Sequence, residues 1–140
     1  MMKGLKGLGV LIVLLTVLST VFSCGDDYKE SGIEGQWRLR QIETSDGSRL
    51  DVDTIFYSFK KGVFRYLKLE TDTQAFLCYG NYDHSDNSLT IEVSRDSFDP
   101  KDNDDGLDWN GLKRSFTIRK HTSSVLELES AGNLYHFGKY

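Results

Sequence analysis

Cys24 stands where a thiol has a chemical purpose. It follows Val21-Phe22-Ser23, behind which an almost unbroken apolar run reaches from Gly7 to Phe22, opened by Lys3 and Lys6. A basic start, an uncharged apolar centre and a small residue before the cut make a cleavable export signal. A cysteine at the first mature position then offers the one side chain whose sulfur can be acylated. Asp26 and Asp27 follow at once, so the chain turns from apolar to acidic at this point. The competing reading is an uncleaved span with an incidental cysteine. A span asks for about 20 apolar residues, and this run is somewhat shorter.

A second stretch with chemical potential runs from Asp96 to Asp108. Calcium takes six to eight oxygen ligands from a flexible loop, and Asp99, Asp102, Asp104, Asp105 and Asp108 carry carboxylates. Setting Gly106 at the glycine of an EF-hand loop places Lys101 at the first ligand position, and no Glu falls at the twelfth. Asp102, Asp104, Asp105 and Asp108 are therefore weak metal candidates, and a solvated loop is the expectation. Trp109, between Asp108 and Asn110, has the company that grips a sugar ring in many proteins. A Trp folded over the barrel mouth is the plainer reading.

Other reactive residue types lack partners. Cys24 is taken by acylation, so Cys78 cannot form an intrachain disulfide; among aromatics, it reads as a small buried hydrophobe. His84, His121 and His136 have no ligand spacing, and His84 and His121 read as solvated. No serine sits in a nucleophile elbow, and no glycine-rich phosphate loop is present. The expectation is a protein that is not an enzyme and uses no cofactor.

Cleavage before Cys24 leaves 117 residues, enough for one domain with its own core. Mature side chains sum to about −6, from 15 Lys and Arg against 21 Asp and Glu. Such a chain repels phosphate backbones, so nucleic acid is excluded as a partner.

The elements that must position these residues are strands. Residues 1–23 form the signal and residues 24–32 an acidic tether. From Ile33 the pattern has period two, broken by turn residues roughly every ten positions. Strands are expected over about Gly35–Thr44, Thr54–Lys60, Val63–Glu70, Gln74–Tyr82, Ser88–Ser94, Leu112–Lys120, Ser124–Ser130 and Leu134–Tyr140. Lys60-Lys61-Gly62, Asp83 to Asn87 and Ala131-Gly132-Asn133 read as hairpin turns. Arg95–Gly111 is a long polar loop holding the single proline, Pro100. Eight sequential strands imply an all-β antiparallel up-and-down barrel, whose closure removes both edges. A two-sheet β-sandwich is the alternative.

Gly35-Gln36-Trp37 resembles the Gly-x-Trp signature of lipocalins, in which the tryptophan plugs one end of the barrel. Val21-Phe22-Ser23-Cys24 resembles the bacterial lipobox. Together they are similar to the small lipocalin-like lipoproteins of Bacteroidetes-type bacteria, over the signal and the 33–140 domain. The resemblance implies an outer-membrane lipoprotein carrying acyl chains such as palmitate on Cys24, either periplasmic or, as the acidic Asp26-Asp27 tether favours, displayed on the surface. No second or third lipocalin motif is evident, and no arginine lies after Arg119 to cover Trp37 from the last strand.

The leading functional expectation is non-enzymatic binding of a small apolar ligand or an envelope partner. The candidate ligand residues are Trp37, Phe56, Phe64, Tyr66 and Trp109; whether Phe56 or Phe64 and Tyr66 face the lumen is left open. The alternatives are a structural or inhibitory interaction module with a filled core, and a glycan-binding surface accessory built on Trp109.

Overall fold

The computed structural model describes residues 32–96 and 111–140. Nine strands follow one another: β1 (Gly35–Glu43), β2 (Arg49–Asp51), β3 (Ile55–Lys60), β4 (Val63–Leu69), β5 (Ala75–Ser85), β6 (Ser88–Val93), β7 (Lys113–His121), β8 (Val125–Ser130) and β9 (Asn133–Lys139). Every pairing is antiparallel. The order is sequential, and β9 returns to β1, so eight strands close into a barrel while β2 extends the far half of β1. The barrel replaces the sandwich alternative. Strand β2 was not expected from the pattern, because its three residues are all exposed and carry no alternating apolar signal.

Local chemistry explains the turns. Lys61 and Gly62 hold φ of 48° and 80° between the paired Lys60 and Val63. Ala131 and Gly132 do the same at 51° and 81° between Ser130 and Asn133. Two positive φ angles give the hairpin turn that matches strand twist. The β5–β6 turn is tighter than expected: β5 continues through Asp83 and His84, and Ser85 pairs Ser88 across Asp86-Asn87. Gly80 sits where β5 passes from one neighbour to the next, pairing both Phe64 and Val93. A Cβ there would lie 2.1 Å from the Glu92 carbonyl oxygen.

Two bulges reset the inward face. Along β1 the pairing with β9 skips Arg40, so Ile42 and not Gln41 is buried. Along β7 the pairing with β8 skips Arg119. His121, and not Lys120, then reaches the end of the barrel where β1 begins. That end, the floor, holds the Lys61-Gly62 and Asp86-Asn87 turns and the close of β9. The opposite end, the mouth, gathers the Thr44–Ser48 turn, the β4–β5 turn, the Ala131-Gly132 turn and both ends of the β6–β7 connection.

Candidate functional site

The floor is built around Trp37. It is fully buried, and its indole Nε1–H donates to the Ile33 carbonyl at 2.8 Å, so the one polar atom of the plug is satisfied. The Lys139 ammonium lies 4.5 Å from the Trp37 ring centroid and donates to the Glu34 carbonyl at 2.6 Å. A cation over an indole face is held by the ring quadrupole. The covering cation on the last strand is thus a lysine, which a search for arginine alone passes over. His121 meets Trp37 edge-on at 6.2 Å and rests against Gly32, where a Cβ would fall 2.4 Å from its Cε1. His121 was expected to be simply solvated; the ring remains exposed on its outer side but forms part of the floor.

Above the floor the interior is filled. Tyr57, Phe59, Phe64, Tyr66, Tyr135 and Phe137 are buried with Trp37. Tyr57 alone meets Phe64 at 5.1 Å, Tyr66 at 5.7 Å and Phe137 at 4.9 Å. Such edge-on and tilted contacts suit aromatic quadrupoles. Phe59 adds Tyr82 at 5.0 Å, and Tyr66 adds Phe76 at 6.0 Å. Eight short strands enclose an interior just wide enough for side chains, and these rings occupy it. Cys78 is buried among them, paired with Tyr66 across β4 and β5.

The mouth holds a residue the sequence reading did not single out as a site. Arg114 points inward and is only 5% exposed. Its Nε donates to Ser130 Oγ at 3.2 Å and its guanidinium to the Tyr135 hydroxyl at 3.1 Å. The planar group stacks near Phe116 and Tyr135, 5.1 and 5.5 Å from their centroids. A guanidinium suits such a place better than an ammonium, being flat and weakly hydrated. The signal for it was available: Arg114 occupies an inward step of the Leu112, Arg114, Phe116, Ile118 alternation.

Among the described residues, those proposed from sequence do not form one cluster. Trp37 is at the floor, and Phe64 and Tyr66 are inside. Phe56 is a correction: it lies on the outer face, packed against Tyr140 at 5.0 Å and under Arg38. It is 6% exposed, so burial there comes from a surface clasp and not from the lumen. Cys24, the tether, Asp102, Asp104, Asp105, Asp108 and Trp109 lie outside the described residues. His136 is held on the outer wall between Glu127 at 3.2 Å and Glu43 at 3.6 Å, and His84 faces the Asp86 carbonyl at 3.1 Å.

A closed eight-stranded antiparallel meander agrees with what comparison shows. Residues 16–140 match the family described as lipocalin-like domain. The chain belongs to that family. Among solved structures, this lipocalin-like chain is similar to a lipocalin-like protein from Bacteroides uniformis ATCC 8492. The identity is 31% and the TM-score 0.72, over 79% of this chain and 100% of that one. A protein from Bacteroides eggerthii DSM 20697 is 26% identical with a TM-score of 0.65, over 76% and 98%. No curated protein matches the chain.

Proposed function

We propose that this lipocalin-like chain is an outer-membrane lipoprotein, anchored by acylated Cys24 and displayed on the cell surface. It serves as a non-enzymatic binding module that meets an envelope partner through its rim and outer wall. The observation that carries the binding mode is the filled interior. A carrier of apolar molecules needs a connected pocket of a few hundred cubic ångströms, whereas inside this barrel Tyr57 meets Phe64, Tyr66 and Phe137, and Trp37 and Tyr135 are buried in the same core. The interaction reading is therefore favoured over a lumen ligand. The glycan reading rests on Trp109 and its acidic loop, as sequence alone.

The test of binding mode uses the signal-free chain with Cys24→Ser and a fluorescent fatty acid as probe. The expected result is no saturable one-to-one binding at micromolar probe. Stoichiometric binding that Tyr66→Trp abolishes would restore the lumen ligand. Anchoring is tested by fractionation: Cys24→Ser should leave the membrane fraction, and retention equal to the parent overturns the acyl anchor. Protease added to intact cells should digest the domain if it is displayed; protection places it in the periplasm.

A further inference from the structure

The outer wall near the floor gathers exposed apolar side chains on two neighbouring strands. Val63 and Tyr79 are 50% and 48% exposed, with Leu77 beside them. Arg65 stands opposite Tyr79 in the β4–β5 pairing, and Lys60 and Lys61 form the adjoining hairpin. Val63 and Tyr79 line two shallow grooves, of about 770 and 550 Å³, one on either side. They make a half-exposed apolar ridge with three cations along the first groove. Among the described residues, the carboxylates lining these grooves are Glu34, which accepts the Lys61 backbone N–H at 3.2 Å, and Glu92 on the far side.

The point where the chain joins the barrel lies at this same place. Glu34 and Gly35 line the first groove. The eight peptide steps from Cys24 to Gly32 reach at most about 29 Å when fully extended. An acyl group on Cys24 would therefore hold Gly32, two residues before Glu34 of that groove, within that distance of the headgroups. We propose that the Val63–Tyr79 wall, with Lys60, Lys61 and Arg65, rests on the anionic surface of the bilayer in which Cys24 is anchored. The inference stands on the acyl-anchor reading above.

The residue types suit that surface. Tyrosine has an apolar body and a polar tip and settles at membrane interfaces. Lysine and arginine lay their stems along apolar surface and extend their charge to phosphate. A lipid chain plus a basic patch is the two-signal arrangement that makes anchoring stable. The mature chain is acidic as a whole, so a cationic strip at the tether is not what its average charge would place there.

The test uses the signal-free Cys24→Ser chain, in which acylation plays no part. It is sedimented with vesicles of phosphatidylglycerol and phosphatidylcholine, and with phosphatidylcholine alone. Binding is expected to the anionic vesicles and to weaken with added salt. Each cation near such a surface counts for roughly fivefold in partition. Lys60→Gln with Lys61→Asn should then lower it about 25-fold, Asn being chosen because it tolerates positive φ. Val63→Thr with Tyr79→Thr should lower it as well. Melting curves check that the variants are folded. No binding, equal binding to both vesicle types, or unchanged binding by both variants overturns the proposal. So does photo-crosslinking from position 79 in cells that captures a protein and no lipid. A parent protein whose mass shows no acyl group on Cys24 overturns the anchor separately and leaves the vesicle measurement independent.

Discussion

Strands β3, β4 and β5 turn one face to the barrel interior and the other to solvent, and the two faces follow opposite rules. Inside, Tyr57, Phe59, Phe64, Tyr66 and Cys78 are wholly buried, and their rings meet in contacts that leave little freedom. Outside, on the same strands, Val63, Leu77 and Tyr79 stay about half exposed beside Lys60 and Arg65. A short barrel fills its interior with its own side chains, so the inner face is committed to stability, and the binding proposed above is assigned to the outer face. Exposed apolar residues gathered on one wall are the kind of patch that marks contact with something else.

The largest break in that comparison comes at the floor. Trp37→Ala should cost about 3–5 kcal/mol, the usual range for emptying a buried aromatic site, as read by chemical denaturation. A loss under about 1 kcal/mol would show that the indole is not the plug. Gly80→Ala comes next, because the added methyl meets main chain and not a flexible side chain. Overpacking of this kind costs about 1–3 kcal/mol, and an unchanged midpoint would mean that β5 and β6 separate easily.

Lys139→Ala sharpens the floor itself. Loss of an exposed cation over an indole should cost about 0.5–1 kcal/mol, and Lys139→Arg should restore most of it. A Lys139→Arg midpoint no better than that of Lys139→Ala would deny the ring contact a role. The outer wall should respond less: Val63→Thr keeps a β-branched residue in its strand, Tyr79→Thr introduces one, and each should shift stability by under about 1 kcal/mol. A larger loss would make the wall structural.

The smallest effect lies in the β1–β2 turn and depends on pH. The Thr44 hydroxyl, then the Ser48 backbone N–H and hydroxyl, hold the Asp46 carboxyl down to about 2 from 3.8. A depressed folded value stabilises above the unfolded value and is lost as pH falls between about 3.8 and 2. Over that window the parent should lose a little more stability than Asp46→Asn. Identical acid profiles for the two would show that the turn makes no such bond.

Much of the barrel is legible in the sequence. Leu89, Ile91 and Val93 share the inner face, as do Ile55, Tyr57 and Phe59, because the side-chain period of a strand is two and one face must be buried. The turns at Lys61-Gly62 and Ala131-Gly132 were equally legible from the glycine that a positive φ favours. What escaped were the places where the period slips. The Arg40 and Arg119 bulges each insert one residue, which turns Ile42 inward and His121 onto the floor, and a bulge has no composition of its own. Phe56 escaped for another reason: its partners Tyr140 and Arg38 are 84 and 18 positions away, so nothing local marks it as covered from outside.

The sequence by itself determined an all-β domain with alternating strands and turns at stated residues, and it raised the expectation of an export signal ending at a cysteine. These follow from local rules of strand period, turn conformation and hydrophobic run length. Only the tertiary structure decided that β9 closes on β1, that Lys139 covers Trp37, and that the interior is filled. Each of those depends on which distant strands become neighbours and how much room the closed circle leaves, and no local pattern encodes either.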